Sequence, residues 1–373
     1  MTRTASIMER SKRRYAPHSS GATAQRRERR AIMRIEKREL LAASLERQYF
    51  FDKGKKRDVV SSLCGLQAQF ANNPGHALRI RAEDYRNHDW NEGLVKTWTF
   101  RHTLHAVRRD ELGLFLSAVG LPEYWDDSWG LSRRVKPKWS SLLLGWIREG
   151  VVDREALKTK CRARNIKPEI MEIVFHGWGG LISEMCRRGL IAYQPGTSKR
   201  FVACDEFQPM ERNLARSEIL RRYFRRLGPG TLRDCAAFTG FKMKTIRETM
   251  EKHPLPLKSV QCDGVDYWYL DEWNSSRDVP ECLFLSGFDQ LLLAYKDRSR
   301  LLDDKHKVNV VTNTGIIHPT IMLGGRLKAK WKKNGRNLWV TPFVRLTGRE
   351  KKMVRDFGKN LFGDDVAEVS FSE

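Results

Sequence analysis

The segment from residue 211 to residue 270 constrains the fold most, because it combines a helix-turn-helix pattern with a hairpin pattern. Apolar side chains recur there with the period of a helix that buries one face, at Ala215, Ile219, Leu220, Tyr223, Phe224 and Leu227. Thr231 with Asp234 is a helix-capping signal, and Gly240 is typical of the position just after a helix. Asp263-Gly264 between two apolar runs then predicts a tight hairpin. A helix-turn-helix followed by a hairpin is a winged helix.

The same pattern occurs at two earlier places in the chain. Between residues 139 and 204, two helices and a longer helix predicted over 169–188 lead to two strands around Pro195-Gly196. The copy over 37–119 is less regular. Three winged-helix domains are therefore predicted.

From about residue 279 the pattern changes to short strands, including one predicted over 308–311, and ends in a helix over 348–361. The whole chain is predicted to be an α+β protein in which tandem winged-helix (helix-turn-helix plus hairpin) domains precede a small β-rich domain. The predicted parts are a basic disordered arm at 1–35, winged helices at 36–125, 126–208 and 209–278, and a β-rich C-terminal domain with a terminal helix at 279–373.

The formal net charge of +24 and the sequence pI near 9.9 indicate a polyanionic partner. Nucleic acid is the simplest such partner, and an anionic membrane or the ribosome are the weaker alternatives. Residues 1–40 hold 12 Lys or Arg against 4 Asp or Glu, which favours a disordered arm; the alternative is an upstream extension with Met33 as the true start. A real arm adds non-specific attraction to DNA.

Several classes of protein are excluded by what the sequence lacks. No run of 18 apolar residues is present to span a membrane, and no apolar signal segment follows the charged N-terminus. Seven cysteines without a CxxC pair predict reduced, mostly buried thiols. No phosphate-binding loop, zincin helix or deaminase signature occurs. We expect a cytoplasmic, nucleoid-associated bacterial protein that uses no metal and no cofactor.

Gln67 and Gln69 are the candidate catalytic residues. They follow an apolar run that ends at Leu66, and a loop signal with Pro74-Gly75 comes after them. On an extended backbone the side chains at i and i+2 point the same way, and a Gln side chain offers both an acceptor and donors without a charge. Such a pair can hold a water molecule between its partners. The alternative is that Gln67 caps the preceding helix while Gln69 is solvated.

A wider set of motifs resembles the winged-helix DNA glycosylases of the AlkZ/YcaQ family. The set covers roughly residues 36 to 362 and consists of Gln67-Ala68-Gln69, Pro74, Arg79, Arg81, Thr97 to Val107, Gly228 to Thr231, Phe288 to Leu293, Asp297-Arg298 and His318 to Thr320. The second glutamine is similar to the AlkZ-like branch, since the YcaQ-like branch has Asp there. His102 departs from the glycine usual in the family, which leaves the local loop conformation open. The resemblance also implies a barrel-like form for the β-rich domain.

The resemblance implies a monofunctional DNA glycosylase that acts on bulky N7-alkylated purines and unhooks interstrand crosslinks. In that reaction Gln67 and Gln69 place the attacking water, and the partner is alkylated or crosslinked double-stranded DNA bound by a monomer. The implied DNA contacts in the first and last parts of the motif set are Arg79, Arg81, Arg101, Thr103, His105 and Arg298. For His105 the alternative is a core imidazole. The carboxylates of Asp289 and of Asp297, which precedes Arg298, suggest acid catalysis, and the alternative for them is structural pairing with Arg or a backbone N–H.

Residues 320–360 form a strongly basic region, with 12 Lys or Arg against 2 Asp or Glu. Arg326, Lys328 and Lys330 alternate with apolar residues on a predicted strand, which gives one basic and one apolar face. We predict that the basic face contacts DNA phosphates. For any single lysine the alternative is a solvated surface.

The rival function is a non-enzymatic winged-helix transcriptional regulator. A regulator of that kind normally binds symmetric half-sites as a dimer. Three different units in one chain favour an asymmetric monomer instead. A binder of structured RNA or the ribosome shares the charge but leaves the amide pair unexplained.

Overall fold

The computed structural model of the chain describes residues 33–177, 179–196, 198–273 and 277–372. Most of the predicted basic arm lies outside these residues. Residues 33 and 34 form a short strand parallel to the strand at 258–262, and the N–H of Ile35 donates to Gln261 O at 2.9 Å. Residues 33–35 therefore belong to the folded chain rather than to a disordered arm. Within the described residues, no helix combines the length and the apolar character needed to cross a membrane.

Runs of helices and runs of short strands follow one another along the described chain. The helices are α1 Lys37–Arg47, α2 Lys56–Ser62, α3 Asn73–Arg79, α4 Leu112–Val119, α5 Lys136–Arg148, α6 Arg154–Ala163, α7 Pro168–Val174, α8 Gly180–Arg187, α9 Arg212–Arg222, α10 Leu232–Thr239, α11 Met243–Lys252, α12 Gln290–Leu293, α13 Lys307–Val310 and α14 Gly348–Phe362. The strands are β1 Met33–Arg34, β2 Leu66–Gln67, β3 Leu94–Trp98, β4 Leu104–Arg108, β5 Ile191–Tyr193, β6 Phe201–Ala203, β7 Lys258–Cys262, β8 Val265–Tyr269, β9 Cys282–Leu285, β10 Thr320–Leu323, β11 Arg326–Asn334, β12 Asn337–Pro342 and β13 Glu368–Phe371.

The elements predicted between residues 211 and 270 are present in the predicted order. Helices α9, α10 and α11 are followed by the β7–β8 hairpin. Thr231 and Asp234 form a reciprocal capping box at the start of α10, and Gly240 ends that helix with a left-handed φ of 74°. Asp263-Gly264 takes φ values of 48° and 75°, and a type I′ hairpin turn requires positive φ at both positions. Local signals therefore determine the local structure of this segment.

The single helix predicted over 169–188 is wrong, because the chain forms two helices there, α7 and α8. Gly177 and Gly179 lie between them, and Gly180 begins α8 with φ of 69°, a conformation that favours glycine. A Cβ atom at Gly180 would lie only 2.1 Å from the carbonyl oxygen of Ile173. The break therefore depends on a close backbone approach that periodicity does not reveal.

One five-stranded sheet joins the first two predicted units. Its order is β2-β4-β3-β5-β6, with every neighbouring pair antiparallel. Lys96 of β3 lies opposite Tyr193 of β5 and makes the link between the units. The edge strand β2 carries Gln67 opposite His105 of β4. The sheet thus holds the amide segment at its edge.

The C-terminal sheet is open, so the barrel-like form implied for this domain is wrong. Its order is β13-β12-β11-β10-β9, and within the described residues the two outer strands do not pair with each other. Helix α14 buries Val354, Gly358 and Phe362, and after it β13 returns parallel to β12. The strand predicted over 308–311 is also wrong, because most of it is helix α13 with Val310 fully buried. Valines favour strands locally, but tertiary packing overrides that preference here.

The apolar cores do not follow the predicted domain boundaries. The largest core combines buried residues of α1, α2 and α4 with others from α9, α10 and α12. A separate core lies among α5, α6, α7 and α8. The first and third predicted units therefore share a core with the C-terminal part. All seven cysteines are free and buried, which confirms the expected state of the thiols.

A buried ion pair joins the first unit to the C-terminal part. The side chains of Arg81 and Asp289 are both 0% exposed, and two hydrogen bonds of 2.6 and 3.0 Å join them. Asp289 also accepts from a backbone N–H at the start of α12 and so caps that helix. The neighbouring Gln290 donates to Gly65 O at 2.7 Å. The structural alternative for Asp289 is confirmed, and the pair fixes α12 against the segment that leads to Gln67.

Asp289→Ala leaves the Arg81 guanidinium buried without its carboxylate. Removing one partner of a buried pair typically costs about 3–5 kcal/mol, so we expect the free energy of unfolding in urea at pH 7 to fall by about that amount. Asp278→Ala is the matched control, because its pair with Arg38 is exposed and such pairs contribute little. Equal losses in the two variants would contradict the role given to the buried pair.

Candidate active site

Gln67 and Gln69 lie at the end of the edge strand β2. Gln67 is 4% exposed, whereas Gln69 is exposed to solvent. Their side chains point the same way, since Gln67 Nε2 donates to Gln69 Oε1 at 3.0 Å. The backbone between them is held by the N–H of Ala68, which donates to Leu104 O at 2.7 Å. Gln67 does not cap the preceding helix, because its side chain binds Gln69 and Arg101.

Arg101 determines which way the two amides face. Its Nη2 donates to Gln67 Oε1 at 3.0 Å. A guanidinium group has donors and no acceptor, so Gln67 must turn its oxygen toward Arg101 and its NH₂ group toward Gln69. Gln69 then accepts through its own oxygen, and its NH₂ group makes no hydrogen bond to another described residue. Arg101, Gln67 and Gln69 therefore form one hydrogen-bonded chain of fixed direction, called here the amide chain.

The guanidinium of Arg101 lies in a confined position. Burial lowers its pKa to about 10, which leaves it charged at neutral pH. Its Cζ atom lies 5.4 Å from the centre of the Phe238 ring on α10, a cation–π contact. Its Nη1 is buried and has no hydrogen-bond partner among the described residues. A buried charge of this kind is costly for folding.

The loop around Arg101 has a backbone conformation that side chains rarely adopt. Arg101 and His102 both have φ of 55°. The loop thus keeps a left-handed conformation, which a glycine adopts readily, although His102 occupies the position of the family's usual glycine. Gly240, at the end of α10, packs on this loop, and a Cβ atom there would lie 3.2 Å from the backbone nitrogen of Arg101. The third predicted unit therefore supports the amide chain directly.

His105 and Thr103 support the same loop from inside. His105 is 0% exposed, and burial together with nearby Arg101 lowers the pKa of its ring to about 3. Its Nδ1 lies 2.8 Å from Thr99 Oγ1, and the hydroxyl of Thr103 donates to Phe100 O at 3.0 Å. A direct DNA contact by His105 does not fit this burial, and the core-imidazole alternative describes its position. The half-buried Thr103 uses its hydroxyl within the loop.

Three arginines predicted to contact DNA are held by the protein itself. Arg81 is fully buried on Asp289, so a phosphate cannot reach it and a DNA contact does not fit. Arg298 is half-buried, its Nε donates to a backbone carbonyl at 2.8 Å, and burial lowers its pKa. The side chain of Arg79 is 16% exposed and binds Asp365 at 3.3 Å. The sequence does not reveal this, because a buried arginine and a surface arginine look alike next to apolar residues.

Strand β11 has the predicted basic face. Buried apolar residues alternate with cations along it, which confirms the two-faced pattern. Arg326 pairs with Asp303, and Lys328 pairs with Glu350 at 2.7 Å, so these two charges are compensated. Lys330 lies between them and the strand end and is half-buried.

Further exposed cations of this region lie near the β11–β12 turn. Lys332, Lys333 and Arg336 are exposed, and none of them forms an ion pair with a described residue. Sequence analysis included them only in the count of basic residues. Their position next to a tight turn with Gly335 was the signal that could have singled them out.

A cavity of about 860 Å³ opens beside the loop that follows Gln69, called here the amide loop. Phe70, which directly follows Gln69, lines this cavity and is 49% exposed. Another part of the wall comes from the C-terminal sheet, through Trp331 among others. Sequence analysis missed the cavity, because residues distant in the chain build it. An exposed aromatic residue next to the amide motif was the only local signal.

Comparison with known proteins identifies the class of enzyme and the family to which the chain belongs. The family model described as "DNA glycosylase AlkZ-like" matches residues 60–361, most of the chain. The class is therefore that of enzymes that remove bases from DNA. The chain belongs to the AlkZ-like DNA glycosylase family, and the resemblance seen in the sequence is confirmed.

A protein sequence and a solved structure, both from Streptomyces sahachiroi, are similar to most of the chain. A protein named "Interstrand DNA cross-link repair glycosylase" is 26% identical over 339 residues, which cover 83% of this chain and 91% of that protein. The solved structure of the DNA glycosylase AlkZ matches with a TM-score of 0.73 and 23% identity over 91% of this chain and 100% of that chain. At that identity the structural match supports the mixed α+β fold.

The buried ring of His105 makes stability depend on pH. Its folded pKa of about 3 lies below the ordinary value of 6.5, so between these values the unfolded state binds the extra proton and stability falls as pH falls. We expect His105→Phe to reduce the slope of unfolding free energy against pH by about 1.2 kcal/mol per unit between pH 5 and 6. Urea titrations of both proteins at those pH values measure the slope. An unchanged slope would contradict the neutral buried ring.

Proposed function

We propose that this DNA glycosylase hydrolyses the N-glycosidic bond of bulky N7-alkylated purines in double-stranded DNA and unhooks interstrand crosslinks. The observation that carries the proposal is the hydrogen-bonded pair of neutral amides, Gln67 and Gln69, at the end of the edge strand β2. The name of the Streptomyces sahachiroi relative supports the crosslink activity.

The chemistry requires little beyond the placement of water. An N7-alkylated purine carries a positive charge and is already a good leaving group. The enzyme then has to position a water molecule at C1′ and stabilise positive charge on the sugar, and neutral hydrogen-bonding groups can do both. No amine nucleophile takes part, so we expect excision without strand cleavage.

The amide chain supplies suitable acceptors for that water. Each amide oxygen has two lone pairs; Gln67 Oε1 uses one for Arg101, and Gln69 Oε1 uses one for Gln67. A water that donates its protons to the remaining lone pairs turns its own lone pair outward, toward a bound sugar. Because Arg101 cannot accept a hydrogen bond, neither amide can flip without losing a partner. The attacking water is thereby given one preferred orientation.

The proposed DNA surface consists of exposed cations near the β11–β12 turn and of the three predicted winged-helix units. Lys332, Lys333 and Arg336 are exposed near the β11–β12 turn and suit contact with phosphates. Residues 36–125, 126–208 and 209–278 are proposed to act as three winged helices of one monomer that grip the duplex by its backbone, with 279–373 as the last domain. A crosslinked base cannot rotate fully out of the duplex, so a short loop that reaches the sugar in place suits this substrate. The transcriptional regulator is not favoured, since the family is one of glycosylases.

Removing either amide should slow excision without weakening DNA binding. Loss of one preorganised hydrogen-bonding group typically costs about 10²–10³ in rate, and we expect this for Gln67→Ala and Gln69→Ala in single-turnover release of 7-methylguanine. Gln261→Ala, on β7 away from the site, is the matched control. Wild-type rates for both amide variants would end the assignment.

A mutant cycle tests whether Arg101 acts through Gln67. We expect Arg101→Met to lower the single-turnover rate at saturating enzyme, because the Gln67 amide loses the donor that orients it. Two groups that act as a unit are non-additive, so the Arg101→Met/Gln67→Ala double variant should be no slower than Gln67→Ala alone. Additive losses would show instead that Arg101 acts independently of Gln67, for example on a phosphate.

A further inference from the structure

The cavity beside the amide loop has walls that suit a flat aromatic group. The rings that line it are Phe70, Tyr85, Trp90, Trp331 and Phe362. Aromatic side chains bind planar groups by stacking and edge contacts. The volume of about 860 Å³ lies within the range of about 300–1,000 Å³ found for pockets that hold drug-sized ligands. The cavity is therefore large enough for a substantial substituent rather than a single methyl group.

Phe70 gives the cavity its connection to the amide chain. It directly follows Gln69, and one face of its ring stacks on Phe288 with centroids 5.8 Å apart and planes at 20°. Phe70 is 49% exposed as a residue, so its ring is supported from one side and offers surface on the other. A group stacked on Phe70 would contact the residue that directly follows Gln69.

The polar lining disfavours a positively charged ligand group. Burial lowers the pKa of His76 to about 4, so its ring is neutral, and its Nε2 lies 2.8 Å from Phe284 O. The carboxylate of Asp365 is bound by Arg79. With Lys332 and Lys333 also in the lining, three cations and one carboxylate give a net charge of +2 (3 − 1). A second positive charge on the ligand would be repelled, whereas DNA phosphates next to it would be attracted.

We propose that this cavity binds the uncharged aromatic part of a bulky N7 substituent while the sugar of the same nucleotide faces Gln67 and Gln69. The proposal rests on the proposed function, since it takes an N7-alkylated purine as the substrate. Binding energy from a part of the substrate remote from the reacting bond then selects bulky aromatic adducts over small ones. Selectivity thus depends on Phe70 and its neighbours, and hydrolysis on the amide chain.

The test measures binding to adducts that cannot be excised. Duplexes carry one 7-deazaguanine with either a benzyl or a methyl group at C7, and fluorescence anisotropy gives the affinity of the full-length protein for each. These bases are uncharged at that position and do not depart, so binding is read without chemistry. We expect the wild type to prefer the benzyl duplex by roughly five- to tenfold, the order expected for aromatic stacking.

Two variants should abolish this preference by different routes. Phe70→Ala removes the stacking ring, and Asn72→Trp fills the cavity from an exposed position whose side chain makes no capping hydrogen bond. Both should bind the two duplexes within about twofold, with affinity for the methyl duplex unchanged and the melting temperature preserved. Phe70→Tyr should retain the preference, and so should the control Phe357→Ala, since Phe357 is 43% exposed and lies outside the lining.

Three results would overturn the proposal: equal wild-type affinity for both duplexes, a preference that survives both variants, or equal loss of affinity for both duplexes. A preference for a duplex with an unpaired base, lost in the same variants, would assign the cavity to a displaced nucleotide instead. Release of N7-benzylguanine from a duplex by the wild type is scored separately. No release contradicts the proposed function, whereas release without a benzyl preference contradicts the cavity assignment alone.

Discussion

The buried contact between Arg81 and Asp289 is the constraint on which the arrangement of the site depends. It neutralises two charges inside the protein and places α12 so that Gln290 can hold the carbonyl of Gly65, two residues before Gln67. The amide segment is therefore fixed from two sides, by the C-terminal part through Gly65 and by strand β4 through the register of β2. A two-residue edge strand has little stability of its own, so its position comes from these tertiary contacts.

The site contains one buried cation, Arg101, and its neighbours Gln67, Gln69 and His105 carry no charge. Arg101 orients Gln67 and through it Gln69, while burial keeps the ring of His105 neutral beside it. In the proposed reaction a cation close to a sugar that gains positive charge is unfavourable unless DNA phosphates offset it, so the proposed DNA-bound state would compensate the charge of Arg101. In the free protein the buried charge of Arg101 lowers stability. The left-handed backbone at Arg101 and His102 is a second local cost to stability.

The sequence predicts well the local features that residues adjacent in the chain determine. The capping box at Thr231, the hairpin at Asp263-Gly264 and the parallel direction of the Gln67 and Gln69 side chains depend only on local geometry. The closure of the C-terminal sheet and the helix at 307–310 depend on packing between distant segments, and the sequence patterns mispredict both. The same holds in the site, where the partner that orients Gln67 lies 34 residues away.

The most direct test of the account is a crystal structure of the protein bound to a duplex with an uncleavable N7-substituted purine analogue. We expect an ordered water in hydrogen-bond contact with both Gln67 and Gln69 and about 3–3.5 Å from C1′ of the modified nucleotide, with Arg101 still bound to Gln67. A duplex whose modified sugar lies away from these amides, with both glutamines bound only to protein, would contradict it.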